Sequence, residues 1–157
     1  MIFTKSLIAQ GTIVDVAIGN KNFSTLVTAL KSADLVGALQ GNGPFTVFAP
    51  TNDAFAKIDS ETLNSLLEEK NQKILSNILT YHVISGKLAA SDVVAALKKG
   101  NGSVELTALN GQIITVMQKE GKIWLIDSKG NYSEISATDV MGSNGVIHVI
   151  DTVVMPK

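Results

Sequence analysis

The stretch TVFAPTNDAF, Thr46–Phe55, decides the fold class of this 157-residue chain. Phe45 to Ala49 is an apolar run of strand-forming residues, bounded as a buried strand should be. Pro50 has no N–H for a sheet ladder and stops it. Thr51 is then placed to cap a helix, with Asp53 in the positive first turn of that helix. A second apolar run, GVIHVIDTVVMP at Gly145–Pro156, closes the chain. Almost every position in it is apolar, so it is expected in the middle of a sheet, where it can pair with the Phe45 strand.

Between these runs, helical and strand patterns are segregated. Thr12 and Asp15 make a capping-box-like pair ahead of Ile13, Val14, Ala17 and Ile18. Phe23, Leu26, Val27 and Leu30 recur at helical spacing, followed by Leu35, Val36 and Leu39, until GNGP at Gly41–Pro44 breaks the pattern. Leu63, Leu66 and Leu67 mark one later helix; Ile74, Leu75, Ile78 and Leu79 mark the next. Ser91 and Asp92 begin a short one that runs through Leu97 and ends at KKGNG. From Ser103 the period is that of strands. Val104–Leu109, Asn110-Gly111 and Gln112–Met117 predict a hairpin with a two-residue turn. Lys119–Gly121 and SKGN then turn the chain through Lys122–Asp127 and Tyr132–Ile135, which completes an antiparallel meander. Segregation of this kind predicts an α+β fold. Trp124, the only tryptophan, has aliphatic neighbours on both sides and is expected in the core; an exposed indole there would instead suggest carbohydrate stacking.

The length suits one domain with a core large enough to need no staple. Cysteine is absent, which removes disulfides and thiolate metal sites. The net charge is −1 and the charges are mixed along the chain, so nucleic acid is not an expected partner. All thirteen basic residues are lysines, and the guanidinium fork favoured for phosphate recognition is missing. No apolar run is long enough to span a bilayer. MIFTKSLIAQ is too short for a signal peptide, and residues 1–10 read as an N-terminal tail, a processed start or a cloning end. Residues 11–157 form the expected single domain.

Candidates for chemistry are few. His82 and His148 are the only histidines. His148 and Asp151 are three apart on a strand, which places them on opposite faces rather than in a dyad. No G-x-S-x-G elbow exposes a serine, no paired ligands suggest a metal, and no cofactor motif is present. His82 lies where a helix ends, which would favour its protonated form. Asn22-Phe23-Ser24, Asn101-Gly102-Ser103 and Asn131-Tyr132-Ser133 match the N-glycosylation acceptor pattern.

The Thr46–Phe55 and Gly145–Pro156 segments resemble the two signature segments of fasciclin-type (beta-Ig-H3/fasciclin) domains. TYHV at Thr80–Val83 resembles the tyrosine–histidine motif that lies between them in that family. The resemblance runs in the same order from about Gly11 to Pro156. It implies a wedge-like sandwich of two β-sheets with helices packed on one side. Thr46, Phe48, Pro50, Thr51, Asp53, Phe55, Ile147 and His148 are the implied architectural positions. Tyr81 and His82 would tie the first segment to the core, and their surroundings are implicated in adhesion. TDVMGSNGVIHVI, Thr138–Ile150, resembles the adhesion peptide of animal members, which puts Asp139 and Val140 at a partner contact on an exposed turn. Val140 replaces the isoleucine of that pattern, and Ala137-Thr138 stand where it has an acidic residue and proline.

The resulting expectation is a non-catalytic, extracytoplasmic adhesion module, secreted or at the cell surface, for a protein, matrix or cell-surface partner. It would be monomeric or weakly self-associating. The alternative is a small-ligand, lipid or polysaccharide-binding domain that uses a cleft between helices and sheet.

Overall fold

The computed structural model describes residues 12–40, 44–86, 88–142 and 144–156, apart from the side chains of Asp139 and Met141. The expected tail at residues 1–10, the domain's first residue and positions 41–43 of the GNGP break lie outside the described residues.

Thr12 caps α1 (Ile13–Ile18) as expected: its hydroxyl accepts from the Asp15 N–H at 3.3 Å, and the Asp15 carboxylate accepts from the Thr12 N–H at 3.1 Å. A 3₁₀ turn at Lys21–Phe23 leads into α2 (Ser24–Ser32), and α3 (Val36–Leu39) follows. β1 (Phe45–Pro50) ends at its proline, where a ladder donor is no longer needed. Thr51 then caps α4 (Asn52–Ala56), its hydroxyl accepting from the Ala54 N–H at 3.3 Å, with Asp53 in the first turn. Next come α5 (Ser60–Leu66), α6 (Gln72–Tyr81), β2 (Val83–Ser85) and α7 (Ala90–Lys99). β3 (Ser103–Thr107), β4 (Ile113–Lys119), β5 (Lys122–Ile126), β6 (Tyr132–Gly142) and β7 (Gly145–Ile150) complete the chain.

The two apolar runs meet. β1 and β7 pair in parallel and in register from Phe45 opposite Gly145 to Pro50 opposite Ile150. Gly145 is required at the start of this pairing, because a Cβ there would stand 2.1 Å from the Phe45 carbonyl oxygen. The strand order β2-β1-β7-β6-β5-β4-β3 makes this pair central to its half of the sheet. The two sheets of the expected wedge are two halves of one hydrogen-bonded ladder. β6 pairs with β5 over Tyr132–Glu134 and with β7 from Ile135 to Gly142, and it shifts register twice between Ile135 and Val140. Bulges of this kind bend a strand and increase its twist. The ladder curls until its two ends touch: Ile84 of β2 bridges Ala108, and the Leu109 N–H donates to the Val83 carbonyl at 2.9 Å.

Alternation along the central strands builds two cores. Val47, Ala49 and Ile147 face α1, the 3₁₀ turn, α2 and α6, where Ile13, Phe23, Leu26, Leu30, Leu75 and Leu79 are buried. Phe48 and Ile150 face the other half of the sheet, against Ile114, Val116 and Leu125, with Val93 and Leu97 of α7 closing the end. Parallel strands buried on both faces read as continuous apolar runs, which accounts for the composition of these two segments.

Three expectations are corrected. Asn110-Gly111 does not make a two-residue turn: Ala108 N–H donates to Gln112 O at 2.9 Å and Gly111 N–H to Ala108 O at 2.9 Å, which leaves a three-residue loop with only Gly111 at positive φ (87°). The Ala108 bridge to β2 holds that end of β3 and sets the longer loop. Asp139 and Val140 lie in the bulged part of β6 rather than on an exposed turn. Trp124 is half-buried on the outer face of β5, its ring 6.3 Å from that of exposed Tyr132, because alternation gives the core face to Leu125 instead.

Candidate functional site

The tyrosine–histidine motif sits at the end of α6, beneath the two central strands. Tyr81 is fully buried; its hydroxyl donates to the Ile113 carbonyl at 2.8 Å and lies 3.1 Å from the Ser128 hydroxyl. Burial, as the main cause, raises the phenol above its ordinary value. His82 is also buried. Its Nδ1 lies 2.9 Å from the Ile78 carbonyl and its Nε2 accepts from the Val154 N–H at 3.2 Å, a pattern that fixes the Nδ1–H tautomer. Its own carbonyl accepts from the Phe48 N–H at 2.8 Å. One residue thus joins α6, β1 and the C-terminal segment. Desolvation drives the ring from 6.5 down to about 4, so the helix C-terminus does not hold it protonated as expected. Neither side chain presents a surface to a partner, which removes Tyr81 and His82 from the expected contact.

A second bracket lies across the sheet. Thr46 is buried and its hydroxyl is used twice, donating to the Gly86 carbonyl at 2.6 Å and accepting from the Leu88 N–H at 2.8 Å. His148 stacks on Phe48 with ring centroids 5.9 Å apart, and its Nε2 lies 2.6 Å from the Leu88 carbonyl. The connection from β2 to α7 is therefore held by one residue from each signature segment. Asp151 turns elsewhere, accepting from the Glu134 N–H at 2.9 Å. Of the remaining architectural positions, Pro50, Phe55 and Ile147 are buried while Asp53 is exposed.

Sequence reasoning passes over two residues with comparable roles. Asp127 is a buried carboxylate that accepts from the N–H groups of Lys129 at 2.9 Å, Asn131 at 2.8 Å and Met155 at 3.0 Å. The Asp-Ser-Lys-Gly-Asn spacing is the signal that an Asx-type turn starts there. Asn52 accepts from the Thr25 N–H at 2.9 Å and donates to the Lys21 carbonyl at 2.9 Å, which locks α4 to α2. Among the described buried side chains, no nitrogen or oxygen lacks a hydrogen-bond partner. These groups brace the fold.

The expected partner contact is only partly an open surface. Val140 is half-buried, pairs with Ile147 and packs against the helical core, while the residues before it, Ser136 to Thr138, are exposed. Beyond it Asn144 ties the hairpin inward, its side chain accepting from the Ile13 N–H at 3.0 Å and donating to the Leu39 carbonyl at 2.7 Å. The cleft expected between helices and sheet is closed. The residual cavity among Ile13, Leu26, Leu30, Val47 and Ile147 measures about 10 Å³, room for about one water and no ligand. A groove of about 440 Å³ opens instead beside Lys119, Glu120, Trp124 and Tyr132. Among the described residues no helix is long and apolar enough to cross a membrane, and no three His, Asp or Glu side chains are grouped to hold a metal.

Comparison with known proteins agrees with this architecture. The chain is similar to Protein sll1483 of Synechocystis sp., 50% identical over 145 residues, covering 92% of this chain and 73% of that protein. It is similar to the cell surface glycolipoprotein MPB83 of Mycobacterium bovis, 34% identical over 153 residues, covering 94% of this chain and 62% of the relative. Among solved structures, a FAS1 domain pair from the insect cell adhesion molecule fasciclin I matches with a TM-score of 0.80 at 21% identity, over 91% of this chain and 50% of that one. That likeness speaks for the fold. The fasciclin domain model matches residues 21–156, and the chain belongs to the fasciclin domain family.

Proposed function

We propose that this chain is a non-catalytic adhesion or binding domain, secreted or held at the cell surface, that meets a protein, matrix or cell-surface partner. One observation carries the reading: both imidazoles, the residues best suited to catalysis here, are buried and bonded to backbone as braces. What is left for function is the exterior, and a rigid scaffold that presents surface loops suits binding. The names of two similar proteins, a cell surface glycolipoprotein and a cell adhesion molecule, support the same direction.

For the contact itself the bulged part of β6 is the first choice. Exposed Ser136 to Thr138 lead directly into Asp139 within the bulged segment, and bulges are common next to functional sites. Val140 serves as core beneath this segment. Asp139→Ala should therefore be tested alone, since truncating Val140 would also loosen the helical core. The purified domain, immobilised on beads, is challenged with envelope and matrix extracts of cells that produce it. Retention of a saturable partner is expected, reduced several-fold by Asp139→Ala with an unchanged melting temperature. Equal retention by wild type and variant discards Asp139, and no saturable retention at all discards the binding reading.

A further inference from the structure

The outer face of the β3–β6 half carries an aromatic corner that bracing the fold does not explain. Register places Met117, Trp124 and Glu134 in one row across β4, β5 and β6, and Thr115, Ile126 and Tyr132 in the next. Trp124 and Tyr132 meet edge-to-face, with 77° between their planes, and Tyr132 is 52% exposed. Two aromatic rings set at nearly a right angle line the 440 Å³ groove, a volume within the usual range of about 300–1,000 Å³ for small-molecule sites. Lys119 and Glu120 at the β4–β5 turn complete its lining. Glu120 is held at φ 56° ahead of Gly121 at φ 79°. Positive φ at both positions is what the two-residue turn of this hairpin requires, and it fixes the rim of the groove.

The charge of the rim selects the occupant. Lys119 and Glu120 balance, and Lys122 pairs with Glu134 at 3.6 Å beside Trp124. An anionic chain would need an excess of cations here, and a protein hot spot would be depleted of lysine and glutamate. A neutral ligand with an apolar ring face and a hydroxylated edge matches both features. Its C–H bonds would lie on the negative face of the indole, and its hydroxyls would reach an ammonium donor and a carboxylate acceptor.

We propose that this face binds a neutral polysaccharide, with a sugar ring stacked on Trp124, Tyr132 as the side wall, and Lys119 and Glu120 bonding its hydroxyls. The site uses none of residues 136–140, so it stands or falls separately from the β6 contact.

Trp124 is the only tryptophan, and its emission therefore reports on the site directly. The whole protein is titrated with hexasaccharides of β-1,4-linked glucose, β-1,4-linked N-acetylglucosamine and α-1,4-linked glucose. A saturable emission change with at least one of them is expected, weakened about two- to tenfold by Tyr132→Ala, which keeps the fluorophore. Trp124→Ala should lose retardation in gels that contain the corresponding polysaccharide. If that variant unfolds, the titration of Tyr132→Ala decides alone. Flat titrations with all three sugars overturn the proposal. So does a sedimenting dimer that Tyr132→Ala dissolves, because the face would then be a contact between copies of this chain.

Discussion

The two halves of the ladder are built from similar residues and used differently. Around β1 and β7, both faces of the strands are covered, by α1, α2 and α6 on one side and by the meander on the other. Every polar group brought into that region is bonded to backbone: Thr46 and His148 to the β2–α7 connection, His82 to α6 and the C-terminal segment. In β3 to β6 only one face is covered, and the other presents Trp124 and Tyr132 among lysines and glutamates. The Thr46–Phe55 and Gly145–Pro156 segments lie mainly in this half, where double burial and internal bonding leave little room for substitution. The open face holds aromatic groups that the core does not consume, which makes it the place to look for what this particular chain recognises.

The largest expected effect comes from the buried half. Phe48 is fully buried in the second core, against the ring of His148 and beneath the meander. Phe48→Ala removes that packing and leaves a cavity that neighbouring strands cannot close, at a cost of about 3–5 kcal/mol. Urea unfolding should show the midpoint falling with the slope unchanged. A loss below about 1 kcal/mol would mean that the two halves are not clamped through this ring.

The next effect depends on pH. Burial lowers the His82 pKa from 6.5 to about 4 in the folded chain. The neutral ring's contribution is therefore complete above pH 6.5 and is lost as pH falls through about 4, because the unfolded chain takes up the proton first. The difference corresponds to a loss on the order of 3 kcal/mol across that window. Carboxylates titrate there too, so the informative quantity is the stability of wild type minus that of His82→Gln at pH 7.5 and at pH 4. The gap should narrow on acidification. Parallel pH profiles would show that His82 is hydrated or charged in the fold, contrary to its two backbone bonds.

Local chemistry makes much of this legible in the sequence. Pro50, Thr51 and Asp53 act within a few residues of themselves, so the strand stop, cap and first turn follow from sequence order. The β1–β7 pairing is legible because an uninterrupted apolar run has few places to go but the middle of a sheet. What escapes depends on partners distant in the chain. The Ala108 bridge to Ile84 changes a turn that Asn110-Gly111 alone would make tighter. His82 looks like a helix-end cation until Val154 and the core close over it. In the candidate site, aliphatic neighbours argue for Trp124 in the core, yet strand alternation settles the matter: Leu125 takes the buried side, and Trp124 shares the outer face with Tyr132. Composition around a residue says less than its parity along the strand.

The smallest effect is the sharpest test of the contrast. Tyr132 is an aromatic residue on a strand, as Phe48 is, but it is 52% exposed on the open face. Its edge-to-face contact with Trp124 is shared with solvent, so the contact should fall at the low end of the roughly 0.5–1.5 kcal/mol such pairs contribute. Tyr132→Ala is expected to lower stability by less than about 1 kcal/mol in the same urea experiment, with no change in slope. A loss of about 2 kcal/mol or more, the scale of a buried side chain, would make the outer face structural. The asymmetry between the halves would then vanish, and with it the reason to read the Trp124 corner as a surface kept for a ligand.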